Sequence, residues 1–305
     1  MDWHATVDFL NVGFGACSVI RYTEEKEKTI IIDGGDDIAS IYDKPGRISL
    51  LEYLHQEAIE DIDLLVITHP HPDHLNGLVE VVKQYNVHQL WLNLKTPYPM
   101  RINSENWNMD RALDALAKVI HKVDEKRMET IFEKHVYSYG QLQITAFPPS
   151  KEKVDPVQKM LDSLESIQSD EVNWIDRTLN SISIPCMVEI GSHRFLYAAE
   201  VNLSHWDYIN KNLQADILLA PHHGDSGNIS ADFLESVQMN YVVISADDEG
   251  TYDLPSKNIE QQIYSKSPHT SILYTAKNKQ TEHVHKGVRF TLDPNVTSLK
   301  ATSMK

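Results

Sequence analysis

Three histidines and one aspartate crowd into Thr68-His69-Pro70-His71-Pro72-Asp73-His74, directly behind the apolar run Leu64-Leu65-Val66-Ile67. The apolar run has the length and composition of a buried strand. Whatever fold the chain adopts must therefore bring these polar side chains to the end of a core strand. Each proline locks its own φ and disfavours helix in the residue before it, so His69-Pro70-His71-Pro72 is expected to run extended. Residues two apart in an extended chain project to one side, which aims His69 and His71 at one ion. Asp73 and His74 fall where the chain turns into a helix starting near Leu75, placed to face an adjacent ion. Imidazole with carboxylate suits zinc, or manganese or iron in a more oxygen-rich site. A surface loop that is rich in His and Asp by chance accounts poorly for this density behind a buried strand.

The rest of the chain alternates strand and helix signals. Short β-branched runs lie at Val7–Leu10, Cys17–Tyr22 and Thr29–Ile32, the last ending in Asp33-Gly34-Gly35. Helical spacing follows over Ser49–Ala58 and near His74–Tyr85, then over Asp110–Val123 and Val157–Ile167. Strands are expected at His88–Leu92 and Leu142–Phe147. From Ser181 onward, strands Phe195–Ala199, Asp216–Ala220, Tyr241–Ser245 and Ser271–Tyr274 alternate with helices Leu203–Asn212, Ser230–Val237 and Ser256–Tyr264. Such alternation indicates a layered α/β architecture. It reads as one domain over 1–295, with 96–172 as an insertion or lid-like helical segment in which Trp107 is taken as core. Residues 296–305 read as a loose C-terminal tail.

Composition narrows the function. Lys and Arg number 28 against 44 Asp and Glu, a formal net charge of −16. A chain that acidic repels a polyanion at long range, which argues against coating nucleic acid or binding an anionic membrane. No cluster of Lys and Arg with interleaved aromatics offsets that field. Cys17 and Cys186 cannot form a disulfide framework and read as small buried residues. No apolar run reaches membrane-span length and the first residues lack a signal-peptide pattern, so the expectation is a soluble cytoplasmic protein with no membrane partner.

The His-x-His-x-Asp-His motif resembles the signature of the metallo-β-lactamase superfamily, and the wider chain resembles the lactamase-like domain of ComEC-type DNA-uptake proteins and their soluble relatives. The likeness is carried in order by Asn11-Val12-Gly13-Phe14-Gly15-Ala16, Ile30-Ile31-Ile32-Asp33-Gly34-Gly35, Asn180-Ser181-Ile182-Ser183, Phe195-Leu196-Tyr197-Ala198-Ala199-Glu200 and Ala220-Pro221-His222-His223-Gly224. It implies a four-layer αββα sandwich with the site at one edge of two packed sheets. It also implies His69 and His71 on one metal, Asp73, His74 and His223 on a second, and Glu200 as the carboxylate that bridges them. Asp33 and Asn180 are implied as supporting residues and His222 as a neighbour that contacts the substrate, with His222 and His223 able to exchange roles; Asp73 is also placed to orient the nucleophile. Here Glu200 stands where relatives carry aspartate, and no histidine stands where many supply a third ligand to the first metal.

Two divalent ions, zinc or manganese, would generate hydroxide near neutral pH and clamp the oxygen on which charge accumulates. That chemistry points to a phosphodiesterase or nuclease acting on an anionic small molecule or a short nucleic acid. The alternatives are a hydrolase of a small ester, lactone or thioester, and a non-catalytic member used for binding.

Overall fold

The β-branched runs of the sequence form two large sheets in a computed structural model, which describes residues 2–96, 105–163, 169–209, 213–277 and 283–305. In chain order the strands are β1 (His4–Leu10), β2 (Cys17–Thr23), β3 (Glu27–Gly34), β4 (Asp61–Ile62), β5 (Leu64–Val66), β6 (Asn86–Val87), β7 (Leu90–Leu92), β8 (Met128–Thr130), β9 (His135–Tyr139), β10 (Leu142–Ala146), β11 (Cys186–Ile190), β12 (His193–Tyr197), β13 (Ile217–Leu219), β14 (Tyr241–Ile244), β15 (Ser271–Tyr274), β16 (Gly287–Leu292) and β17 (Ala301–Ser303). The helices are α1 (Ala39–Tyr42), α2 (Leu50–Gln56), α3 (Pro72–Leu75), α4 (Leu78–Gln84), α5 (Trp107–Lys122), α6 (Lys151–Asp162), α7 (Ser169–Leu179), α8 (Leu203–Ile209), α9 (Ala231–Val237) and α10 (Ile259–Lys266).

One sheet has the order β17-β16-β1-β2-β3-β5-β7-β8 and the other β15-β14-β13-β12-β11-β10-β9. Each joins an antiparallel half to a parallel half: β3, β5, β7 and β8 run parallel in the first, and β12 to β15 in the second. Parallel strands deliver all their carboxyl ends to one edge, where the following loops can meet.

Side-chain alternation along the strands separates three cores. Ile30, Ile32, Leu64 and Val66 face the space between the sheets, together with Phe195, Tyr197 and Val243 of the opposite sheet. Their neighbours Ile31 and Leu65 point outward onto α2, α4, α5, α6 and α7. Leu196, Val242 and Ile244 likewise face α9 and α10. Strands covered on both faces bury both sets of side chains, which explains their nearly continuous apolar runs. The result is the four-layer αββα sandwich expected from the sequence. Among the described residues no helix is long and apolar enough to cross a membrane.

Three expectations need correction. The described part of 96–172 is built into the sandwich rather than set over it: α5 buries Met109, Leu113, Leu116 and Val119, β8 extends one sheet, and β9 and β10 extend the other. Residues 97–104 and 164–168, within that segment, lie outside the described residues. Trp107 is not core; it is 63% exposed, with the Arg111 guanidinium 4.5 Å above its ring. Residues 296–305 are not a loose tail, because Ala301–Ser303 pairs with β16 and buried Leu299 accepts a hydrogen bond at its carbonyl from the Tyr241 hydroxyl. Edge strands this short carry too little periodicity to be read from sequence. The helix expected over Val157–Ile167 is α6, which begins six residues earlier than expected, at Lys151. Pro156 lies on its exposed face, while Val154, Val157 and Leu161 turn inward. The ends expected for this helix and for Leu203–Asn212 also fall outside the described residues.

Candidate metal centre

The loop after β5 runs extended and then enters α3, as the two prolines require. His71 precedes the helix at φ −72° and ψ 151°, and Pro72 takes the first helical position, where its missing N–H costs nothing. Gly15 presses the neighbouring loop against this turn. Its φ is 132°, and a β-carbon there would stand 2.3 Å from the Asp73 carbonyl oxygen. The Ala16 amide donates to that same carbonyl at 3.1 Å.

Asp33, at the end of β3, organises the histidines from below. Its carboxylate accepts from the Thr68 amide (2.8 Å), the Thr68 hydroxyl (2.7 Å) and His74 Nδ1 (2.8 Å). Because the Thr68 hydroxyl donates to Asp33, it accepts from His69 Nδ1 at 3.0 Å. His71 Nε2 donates to the Asp176 carboxylate and carbonyl, both at 3.2 Å. In their neutral form the three imidazoles thus keep the proton on the outward nitrogen and leave the inward one free for a cation.

The opposing side comes from the second sheet. Ala199, in left-handed conformation at φ 51°, turns the chain after β12. The Glu200 amide then donates to Ser183 Oγ at 3.0 Å. His222 and His223 are consecutive left-handed residues at φ 47° and 52°. This backbone is unfavourable for residues with a β-carbon and is held by the surrounding structure. His223 Nδ1 donates to the Ser245 carbonyl at 2.8 Å, which leaves Nε2 as its inward atom.

Two donor sets result. His69, His71 and Glu200 form one, and Asp73, His74, His223 and Glu200 the other, with the donor atoms of each set within 4.8 Å of one another. In the first, Glu200 Oε2 lies 3.2 Å from His69 Nε2 and 3.7 Å from His71 Nδ1, and the two nitrogens are 3.0 Å apart. In the second, Glu200 Oε1 lies 2.7 Å from His223 Nε2 and 3.1 Å from His74 Nε2, while Asp73 Oδ2 is 3.2 Å from His223 Nε2. Ligand atoms bound at roughly 2.1 Å around a tetrahedral ion stand about 3.4 Å apart, so both sets have the spacing and chemistry of a divalent-cation site. Asn180 Oδ1 is buried without a hydrogen-bond partner, and its amide nitrogen lies 3.5 Å from His222 Nε2.

Burial and crowding set the charges. Burial, helped by the neighbouring His74 charge, lowers His69 to about 4. Burial also presses on His71 and His223, but hydrogen bonds to Asp176 and Glu200 carry the first to about 9, and those to Asp73 and Glu200 do the same for the second. His74 sits well above its ordinary value because Asp73, Asp33 and Glu200 outweigh its burial. The converse holds for the Glu200 carboxyl: burial would raise it, yet the imidazoles hold it well below the usual range. The cluster is therefore a set of buried charges in mutual compensation.

Each residue singled out in the sequence lies in or beside this cluster, with His222 at the rim, its side chain 29% exposed and Nε2 4.0 Å from Glu200 Oε2. Sequence reasoning missed Asp176, Thr68, Ser183, Ser245 and Asn228. Asp176 lies on α7, and nothing in its local pattern marks it as a partner for His71. Thr68, inside the histidine motif itself, and Ser183, inside the Asn180–Ser183 motif, carried signals that could have found them.

The chain is similar to several known proteins. The chain is 21% identical over 293 residues to ComE operon protein 3 of Bacillus subtilis (strain 168), covering 92% of this chain and 33% of that protein. It is 27% identical over 135 residues to Exodeoxyribonuclease WalJ of Streptococcus pneumoniae serotype 2 (strain D39 / NCTC 7466), covering 44% of this chain and 42% of WalJ. The chain thus spans well under half the length of these curated relatives. Among solved structures, a diphosphatase from the PhnP family aligns at 16% identity and TM-score 0.47, over 96% of this chain and 99% of that one. The family model described as Metallo-beta-lactamase superfamily matches residues 10–246, most of the chain. On that match, and with the donor sets at the edge of the sandwich, the chain belongs to the metallo-beta-lactamase superfamily.

Proposed function

We propose that this chain is a dinuclear metal-dependent hydrolase that cleaves a phosphodiester of a nucleotide or short nucleic acid. The observation that carries the reading is Glu200, whose two carboxylate oxygens each face a different donor set. The extra methylene relative to aspartate does not remove that carboxylate from either set. His69, His71 and Glu200, with the unpartnered Asn180 Oδ1 beside them, would hold one cation, and Asp73, His74, His223 and Glu200 the other. Bound there, two divalent cations such as zinc or manganese supply Lewis-acid polarisation of phosphoryl oxygens and acidify water.

The protein's own groups do the positioning. Asp73 and Glu200 are the only anionic donors among the ligating residues, too few to neutralise two divalent cations, so an anionic ester is drawn in despite the overall charge of −16. Asp73 also lines the open groove beside the centre, where it can orient a nucleophilic water. His222 stands at the rim, with the Asn228 amide 2.9 Å and the Asp225 carboxylate 3.4 Å from Nδ1 and the Asn180 amide 3.5 Å from Nε2. From there it is placed to contact the substrate beside the leaving oxygen. The relative named as an exodeoxyribonuclease supports the phosphodiester class.

The test is a substrate panel on zinc- or manganese-reconstituted protein: bis-p-nitrophenyl phosphate, a lactone and a thioester. Phosphodiester turnover that disappears in His71→Ala and Asp73→Ala supports the proposal. Turnover confined to the lactone or thioester reassigns the substrate class, and absence of all turnover in a fully loaded protein favours a binding role.

A further inference from the structure

One wall of the centre is aromatic, and the donor sets do not account for it. The Phe14 ring lies 4.4 Å from that of His223, tilted by 47°. Tyr252 meets Phe14 edge to face at 5.2 Å. Both rings line the groove that reaches Asp73. Tyr252 is 72% exposed, the most exposed large apolar side chain among the described residues.

The loop is built to keep this ring in solvent. Tyr252 and Asp253 are consecutive left-handed residues at φ 56° and 57°. The Asp247 carboxylate accepts from the amides of Glu249, Gly250 and Thr251 at 3.1, 3.0 and 3.2 Å, which fixes the approach to Tyr252. The backbone leading to the ring is thus held, and the ring itself stands in solvent against the edge of Phe14.

The charges in the groove bear on what it receives. Among the described residues that line it, Lys44 and Arg47 are the cations, and both pair with Glu249. Asp36, also in the lining, is paired with Arg111. The two cations share one carboxylate, and Asp36, Asp73, Asp247 and Glu249 outnumber them in the lining, so a long phosphate backbone is repelled here, whereas a planar ring would find an open aromatic face.

We infer that Tyr252, backed by Phe14, is a stacking platform for the base next to the scissile phosphate, which makes the substrate a nucleoside phosphodiester recognised through one base. The inference rests on the phosphodiesterase reading for its chemistry but not for its binding. The recognition element is a ring, so the platform favours a terminal nucleotide or a small nucleotide ester over the interior of a polymer.

Two measurements on the manganese-loaded full chain test it. The first compares kcat/KM for thymidine 5′-p-nitrophenyl phosphate with that for methyl p-nitrophenyl phosphate, which share a leaving group. Stacking of one base predicts a preference of roughly ten- to a hundredfold for the nucleoside ester. Tyr252→Phe should keep that ratio, while Tyr252→Ala and Tyr252→Leu should bring it near one. The second compares calorimetric binding of thymidine 5′-monophosphate with that of ribose 5-phosphate, with the same expected dependence on Tyr252. No preference in the wild-type protein, or a preference that survives in Tyr252→Ala, overturns the platform. If neither ester is cleaved but the Tyr252-dependent preference persists in binding, the platform stands and the phosphodiesterase reading falls.

Discussion

At the scale of single residues, the centre depends on groups that never touch its inner face. Asp33 accepts three hydrogen bonds, two from Thr68 and one from His74, and through Thr68 it also fixes His69. Replacing it with asparagine should weaken metal retention by roughly 10- to 100-fold, the usual cost of losing such a partner, as read in a competitive chelator titration. Unchanged affinity would show that the imidazoles orient themselves. Gly15→Ala should destabilise the protein by roughly 1–3 kcal/mol in urea unfolding, because the site requires φ 132° and a contact with the Asp73 carbonyl that no β-carbon can share. The donors were readable from sequence because they sit in three short local patterns. Asp176, Ser245 and Tyr252 were not, because each acts through a position in space that neighbouring residues do not encode.

At the scale of elements, ends and edges were hardest to read and cores easiest. Strands β3, β5, β12 and β14 announce themselves as apolar runs because helices or the opposite sheet cover both their faces. β8 and β17, three residues each, are defined by pairing with a neighbour, which leaves little local trace. A different bond ties β1, β16 and α2 together. Asp8 is fully buried and takes a bidentate pair from Arg289 at 2.7 Å, while Arg289 also reaches Glu57 at 2.8 Å. Burial outweighs these partners and raises the Asp8 carboxyl above its ordinary value. Arg289→Met should therefore cost about 3 kcal/mol, because it leaves the buried acid with the Tyr53 hydroxyl as its remaining side-chain donor, and adding Asp8→Asn should recover part of that loss. Chemical denaturation of the single and double variants checks this; equal losses in both would remove Asp8 from the explanation.

At the scale of the whole molecule, the alternation of strands and helices in the sequence indicated layers, while the four-layer αββα order was legible only through the family resemblance carried by the motifs. The charge of −16 argues against a polymer track and leaves recognition to local features. Stability should also carry a pH signature away from the centre. His205 is buried, donates from Nε2 to the Phe147 carbonyl at 3.1 Å, and is lowered by burial to about 4. Its unfolded value is near 6.5, so the unfolded chain binds more protons between those limits. Full stability is present above about pH 6.5 and is lost as the pH falls toward 4, by roughly 3 kcal/mol from this group alone. His205→Asn should flatten that slope in urea midpoints taken across the window; an unchanged slope would place the proton uptake elsewhere.

The proposed hydrolase needs two cations, one on either side of the Glu200 carboxylate. Anomalous diffraction from a crystal grown with excess manganese locates them. Two peaks are expected, one within bonding distance of His69, His71 and Glu200 and the other of Asp73, His74, His223 and Glu200. No peak among these side chains, or peaks with Glu200 turned away from both, would rule out the dinuclear centre.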